Sequence, residues 1–310
     1  MAKNESLHNA RNTKDDEFYT QISDIEKELK HYRKHFKGAV VLCNCDDPEW
    51  SNFWKYFHLN FKFLGLKKLI TTHYDPNVPT YKMEYEGGND ADTKEGIITQ
   101  LSTNGDFRSP ECIELLKEAD IVVTNPPFSL FREYIAQLIE YDKKFVIVGN
   151  QNAISYRDVF PLIKNNLVWL GVNSGDMAFR VPADSEPRKT RFWIDTEGNK
   201  WRSMGNACWY TNLDIQKRHE PIDLVEKYSP DKYPKFDNYN AINVNKTLMI
   251  PCDYNGIMGV PITMLQYYCP EQFEIIWLDG DDETVWAGPG PSLNGKNLYR
   301  RLFIKRKDAK

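Results

Sequence analysis

A chain of 310 residues with 41% hydrophobic content is long enough to bury a substantial core, which excludes a wholly disordered or fibrous polypeptide. Its formal net charge of -4 supplies no global positive field, so contact with a polyanion has to rest on local basic patches. Six cysteines without a C-x-x-C pair argue against a zinc site or a disulfide framework, and no apolar run approaches the roughly 18 residues of a membrane span.

The polar N-terminal stretch lacks the apolar segment of a signal peptide, so a cytoplasmic protein is expected. Ser23 and Glu26 have capping-box spacing, and Ile22, Ile25, Leu29, Tyr32 and Phe36 recur at the helical period, predicting a helix of about four turns. "GAVVLCN" at 38–44 reads as a buried strand ending on Cys45, Asp46, Asp47 and Pro48, and Phe53, Trp54, Tyr56 and Phe57 fit a helix after it. "KKLITTHY" at 67–74 is a second strand, whereas 75–102 reads as a weakly patterned surface excursion. Ser109-Pro110-Glu111 starts a helix: a hydroxyl cap, a proline tolerated in the first turn, and a carboxylate at the positive end of the dipole. The strand "DIVVTN", a helix over 129–142 and the strand "KFVIVGN" at 144–150 follow. Ser155 and Asp158 predict another capped helix, and "LVWLGVN" at 167–173 another strand.

This alternation predicts an α/β fold, a mostly parallel twisted sheet with helices on both faces. Beyond it, a turn at Glu197-Gly198-Asn199 between aromatic and basic segments predicts a hairpin at about 173–206. The chain from 216 reads as a smaller, mixed or β-rich region, giving an expected division into 1–215, with the hairpin inserted, and 216–310. Arg188, Lys189, Arg191, Lys200 and Arg202 form one basic stretch and Arg300, Arg301, Lys305, Arg306 and Lys307 another; each is either a solvated face or a contact for nucleic acid. The six histidines have no ligand spacing, so no metal is assigned.

Ligands of open α/β sheets collect beyond the carboxyl ends of the strands. Those ends carry Cys45-Asp46-Asp47, Asp106-Phe107 and Asn125-Pro126-Pro127-Phe128. The last turn is stiff and rich in acceptors, because prolines fix their backbone angles and offer carbonyls without N–H donors. The Asn125 side-chain oxygen and the Pro126 carbonyl could take both hydrogens of an exocyclic amine, localising a lone pair otherwise delocalised into the ring, while Phe128 stacks on the ring face. Position and polarity would then suffice without a perturbed general base. A duplex adenine would have to be flipped out of its stack to reach such a corner.

"NPPF" after an apolar strand is similar to the signature of amino-methyltransferases that use S-adenosylmethionine. With "DEFYTQISDIEKEL", "VVLCNCDDPEWSNF", "GDFRSPECIELLKEADIVVTNPPFSLFREYI", "YDKKFVIVGN", "DNYNAINVNKT" and "IPCDYNGIMGVPIT", the ordered set resembles the EcoRI-type adenine-specific DNA methyltransferases. The resemblance implies a Rossmann-like methyltransferase fold, S-adenosylmethionine as methyl donor, and N6 of adenine in double-stranded DNA as acceptor, in a restriction-modification or an orphan or phage setting. It implies Asn125, Pro126, Pro127 and Phe128 as the catalytic turn. Asp106 would accept from the amino group of the cofactor's adenine with Phe107 beside that ring, and Phe18, Tyr19 and Thr20 would lie near its methionine part. Cys45, Asp46 and Asp47 would form the remaining cofactor turn, either acid meeting the methionine ammonium. That turn departs from the family's glycine-rich pattern, with Ser51 and Phe53 where glycines are expected. Target recognition would fall to 216–310, and monomeric action without a membrane or an obligate protein partner fits the resemblance. RNA adenine or protein glutamine methylation, and DNA binding without catalysis, are the alternatives.

Overall fold

The computed structural model describes residues 19–279 and 290–307, so Phe18 lies outside the described residues. The chain divides into two compact units: one takes the chain up to Ala153 together with Gly171–Leu213, the other Ile154–Leu170 together with the chain from Asp214. The segment 154–170, which a linear reading leaves in the first domain, therefore groups with the C-terminal unit.

In chain order the elements are β1 (Tyr19–Thr20), α1 (Ile22–Leu29), α2 (Arg33–Phe36), β2 (Val40–Cys43), α3 (Asn52–Leu59), α4 (Phe61–Leu64), β3 (Lys68–Thr72), β4 (Tyr81–Tyr85) and β5 (Ile97–Gln100). There follow α5 (Pro110–Glu118), β6 (Ile121–Thr124), α6 (Phe131–Glu140), β7 (Lys144–Asn150), α7 (Phe160–Lys164), β8 (Trp169–Arg180), β9 (Phe192–Ile194) and β10 (Lys200–Thr211). The large sheet runs β1-β8-β10-β7-β6-β2-β3-β4-β5, with β9 paired to β10.

The fold is α/β, but the sheet is mixed, which corrects the expectation of a mostly parallel one. Parallel pairing is confined to β3-β2-β6-β7. Antiparallel pairs flank this core, β4 and β5 on one side and β10, β9, β8 and β1 on the other. The core strands are apolar runs buried on both faces, as strands inside a parallel sheet require. The supposed excursion at 75–102 folds back as β4 and β5. Met83 and Tyr85 alternate inward on β4, whereas β5 is exposed at every position, so polarity hid an edge hairpin.

Local rules succeed where a cap is short and direct. The Ser109 hydroxyl accepts from the Cys112 N–H at 3.3 Å with Pro110 in the first turn, as expected for α5. They fail at the capping box: α1 begins after Gln21, which makes no side-chain cap, and the helix breaks before α2. The periodic face still holds, because Ile25, Leu29, Tyr32 and Phe36 are all buried. The helix expected from Ser155 and Asp158 shrinks to α7, capped at Val159 without a side-chain bond, and the strand expected at 167–173 extends through Arg180.

The C-terminal unit contains β11 (Ile242–Asn243), β12 (Met258–Pro261), β13 (Phe273–Leu278), β14 (Ser292–Leu293), β15 (Lys296–Asn297) and β16 (Arg301–Arg306). β11-β12-β16-β13 form a second sheet, and β14 and β15 a hairpin. Phe303 anchors its core, stacked on Trp277 at 4.5 Å and tilted against Phe236 at 5.7 Å. The basic C-terminal run is thus part strand: Arg301 is buried and its Nε donates to the Asn243 side-chain oxygen at 3.3 Å.

A buried carboxylate fastens α1 to β8. Glu28 accepts from Tyr32 Oη at 2.7 Å and, at 2.8 Å each, from the Val172 and Asn173 backbone N–H groups and Asn173 Nδ2. A Cβ on Gly171 would lie 2.3 Å from Glu28 Oε1, so the glycine makes room for the acid. Glu28→Ala strands these donors and is expected to lower the unfolding free energy by about 3 kcal/mol, read as a shift of the urea midpoint.

Candidate active site

Because β2, β3, β6 and β7 are parallel, their carboxyl ends share one edge of the sheet, and three of the four expected site segments leave from or beside it. After β2 the chain turns at Cys45, whose φ of 65° is left-handed. A non-glycine residue there costs about 1 kcal/mol or more. The Thr71 hydroxyl of β3 holds this turn by donating to the Cys43 carbonyl at 2.9 Å and to the Asp46 carbonyl.

Asp46 ties the turn to the Asn-Pro-Pro-Phe corner. Its Oδ1 accepts from the Ser51 hydroxyl at 2.9 Å, its Oδ2 from the Thr124 hydroxyl, and the Asn125 backbone N–H also donates to the carboxylate. Ser51 in turn caps α3, accepting from the Phe53 and Trp54 N–H groups at 3.1 and 3.2 Å. Next to it, Asn52 Nδ2 donates to the Thr20 carbonyl at 2.8 Å, drawing in the Tyr19–Thr20 strand, which pairs with Arg180 and Phe179. The Thr20 hydroxyl is buried and finds no hydrogen-bond partner among the described residues. At the corner itself, Asn125 is half-buried, Pro126 buried, and Phe128 opens a 3₁₀ turn in which the Leu130 N–H donates to the Pro127 carbonyl at 3.0 Å.

Asp47 points its bonds the other way. Its Oδ1 accepts from Tyr81 Oη at 3.1 Å and the Glu49 N–H at 2.9 Å, while Oδ2 lies 3.4 Å from His73 Nε2. The Asp106 turn is set by Gly105, with φ of 76° and so little space that a Cβ would sit 2.0 Å from the His73 carbonyl oxygen. The Asp106 carboxylate takes the Arg108 N–H at 2.9 Å, Nε at 2.8 Å and Nη2 at 2.6 Å, and Arg108 Nη1 reaches Glu133 at 2.7 Å. Phe107 is buried, edge-on to Tyr134 at 5.0 Å, and Tyr134 Oη donates to the Asn44 side-chain oxygen.

Tyr19-Thr20, Cys45-Asp46-Asp47 and Asn125–Phe128 are thus joined through Asn52, Ser51 and Asp46, and Asp106-Phe107 meets the same turn through Tyr134 and Asn44. The connecting residues Asn44, Ser51, Asn52, Thr71, Thr124 and Tyr134 escaped sequence reasoning. Their one visible signal was the serine standing where a glycine was expected. Burial pushes the Cys43 and Cys45 thiols up, which removes them as thiolate nucleophiles. Among the described residues no cluster of His, Cys, Asp and Glu could hold a metal ion, and no helix is long and apolar enough to cross a membrane.

Comparison with known proteins bears on this constellation directly. The family model for adenine-specific methyltransferase EcoRI matches residues 6–307. The chain belongs to that family. It is 50% identical to the Type II methyltransferase M.EcoRI of Escherichia coli, over 99% of this chain and 98% of the relative. It is 41% identical to the Type II methyltransferase M.MpnI of Mycoplasma pneumoniae and 37% to M.MgeORF184P of Mycoplasma genitalium, each over 97% of this chain and 98% of the relative. No solved structure matches. As a member of the EcoRI family the protein is an enzyme, an adenine-specific methyltransferase.

Burial raises the Asp46 carboxyl from 3.8 to about 7, against the Thr124, Ser51 and Asn125 donors that favour its charged form. Since the folded value lies above the unfolded one, Asp46 contributes stability that is complete below about pH 3.9 and is lost as pH rises through about 7. Thermal unfolding between about pH 4 and 7 is expected to show a falling stability for the wild type relative to Asp46→Asn; parallel curves would contradict the assignment. Gly105→Ala is expected to lower stability by about 2 kcal/mol in urea titration, through the left-handed φ and the clash with the His73 carbonyl.

Proposed function

We propose that this enzyme is a site-specific methyltransferase acting on N6 of a flipped adenine in double-stranded DNA, in a bacterial restriction-modification system, with S-adenosylmethionine as donor. The observation that carries the reading is the Asp46 carboxylate, which bonds the Ser51 side of the first turn and the Thr124-Asn125 side of the Asn-Pro-Pro-Phe corner at once. A donor turn and an acceptor corner held by one side chain are what transfer between two bound molecules requires. The parallel core β3-β2-β6-β7, with its loops on one edge, supports a Rossmann-like methyltransferase sheet.

The residues at the edge fit the cofactor by their chemistry. The acids offer acceptors for an ammonium and for an amino group, and the buried Thr20 hydroxyl has an unused hydrogen-bonding capacity. Asp46 is bonded by Ser51, Thr124 and Asn125 and Asp47 by Tyr81, Glu49 and His73, and one of these two acids meets the methionine ammonium. Tyr19 and Thr20 line the methionine part, and Cys45 shapes the turn beneath it. Asp106, oriented by Arg108, accepts from the cofactor's adenine, and Phe107 backs that site. When bound, S-adenosylmethionine supplies an electrophilic methyl group on its sulfonium.

The protein's own contribution to the reaction is positional and electrostatic. Asn125 and the Pro126 carbonyl accept the two hydrogens of the target amine, so its lone pair leaves ring conjugation and the positive charge developing on nitrogen is offset. Pro127 stiffens the corner and Phe128 stacks on the extruded base. The chain beyond 214 serves target recognition, and the enzyme acts as a monomer in the bacterial cytoplasm without an obligate protein partner.

Incubating a plasmid with purified protein and labelled S-adenosylmethionine, followed by modification-sensitive sequencing, is expected to show N6-methyladenine at one short sequence; label in RNA or protein alone would reject the reading. Asn125→Ala is expected to reduce transfer by at least about 10²–10³-fold, with cofactor affinity by calorimetry changed only slightly. Near-normal turnover in that variant would remove Asn125 from the chemistry.

A further inference from the structure

The hairpin between β8 and β10 forms a cleft of about 460 Å³ lined by Arg188, Thr190, Arg191, Arg202, Ser203 and Asn206 among others, with no carboxylate among its described lining residues. Three guanidiniums, two hydroxyls and an amide make it a site for an anion. It is a built feature of the hairpin. Arg191 has a left-handed φ of 56°, its carbonyl accepts from the Ser203 N–H at 3.0 Å, and its Nη1 is braced by Asp176 at 3.0 Å. A Cβ on Gly205 would stand 2.3 Å from Arg191 Nη1, so the glycine gives the guanidinium its seat.

The register of the sheet locates the cleft relative to the corner. Thr124 of β6 pairs with Ile147 of β7, which pairs with Tyr210 of β10, so the three lie in one row. β10 meets the end of β7 at Ala207 opposite Asn150, and Asn206 Nδ2 donates to the Asn150 side-chain oxygen at 2.9 Å. Residues 202–206 therefore project past the carboxyl end of β7, the edge from which Asn125 emerges. With strands about 4.8 Å apart and residues about 3.4 Å apart, the cleft starts roughly 10 Å across and 14 Å along from the row of Thr124. That is a span of two or three nucleotides.

We infer that this cleft clamps a backbone phosphodiester of the DNA strand that delivers the flipped base, resting on the function proposed above. Guanidiniums match phosphate oxygens in fork geometry, and the neighbouring hydroxyls and amide add donors. A base is the poorer occupant, because the nearby rings of Trp193 and Trp201 stack on each other at 6.2 Å and neither lines the cleft. The formal charge of -4 gives the molecule no general pull on DNA, so a local clamp has to provide it. Holding the strand beside the extruded nucleotide opposes its return to the stack, whose cost on flipping is a few kcal/mol.

The test uses full-length Arg188→Gln, Arg202→Gln and the double variant, with Arg188→Lys and Arg202→Lys as charge-conserving controls for folding. Duplex binding is measured across a salt series with cognate and unrelated sequences. Each Gln variant is expected to weaken both duplexes by a similar factor of roughly tenfold and to reduce the slope of log K against log salt by about one, while the Lys variants keep the slope. An unchanged slope, or a loss confined to the cognate sequence, overturns the clamp. Wild-type transfer to duplex adenine, scored with the same protein, tests the underlying function separately, since a clamp can fail in an enzyme that still methylates DNA.

Discussion

A single carboxylate ties together the loops at the carboxyl edge of the parallel strands. Asp46 sits at the end of β2 and receives hydrogen bonds from the turn ahead of α3 and from the first residues after β6. Parallel strands bring their ends to a common edge but do not by themselves fix the loops beyond it. A side chain that bonds two such loops removes their independent motion, and so holds the turn after β2 and the Asn-Pro-Pro-Phe corner in register. Its burial is also why its proton is retained so far up the pH scale, since desolvation penalises the charged form.

The same device recurs around the site in short polar residues at strand ends. Thr71 and Thr124 each donate to the turn after β2, Tyr134 reaches Asn44 from α6, and Ser51 serves both a helix cap and Asp46. In the glycine-rich version of such a turn, backbone amides approach the ligand because no side chain intervenes. Here Cys45 accepts the left-handed geometry, and the surrounding hydroxyls supply the restraint that keeps it there. The strain of that one residue is small beside the several hydrogen bonds that over-determine it.

Away from the edge, the molecule uses buried polar groups where elements have to be fixed rather than merely packed. Glu28 of α1 gathers one donor from Tyr32 and three from β8, and Arg301 reaches Asn243 within the C-terminal sheet. Each is a polar group whose removal leaves its partners unsatisfied, which makes such positions more sensitive than apolar neighbours of equal size. The hairpin of β8, β9 and β10 is different in character: its guanidiniums and hydroxyls line an open cleft, and its exposure suits a ligand that comes and goes.

The amino-acid sequence by itself determined the apolar core strands, the Ser109 cap, the hairpin turn and the Asn-Pro-Pro-Phe corner, because each depends on neighbours within a few residues. It also carried the family, through motifs spread along most of the chain. Only the tertiary structure decided that β4 and β5 close one side of the sheet, that β10 runs antiparallel to β7, and that 154–170 joins the C-terminal unit. Strand pairing is a contact between distant segments, and an exposed edge strand such as β5 has no apolar alternation to announce it. The bonds of Asp46 and Glu28 were hidden for the same reason: their partners lie up to 79 and 145 positions away, and a carboxylate in a sequence does not reveal which distant donors will surround it.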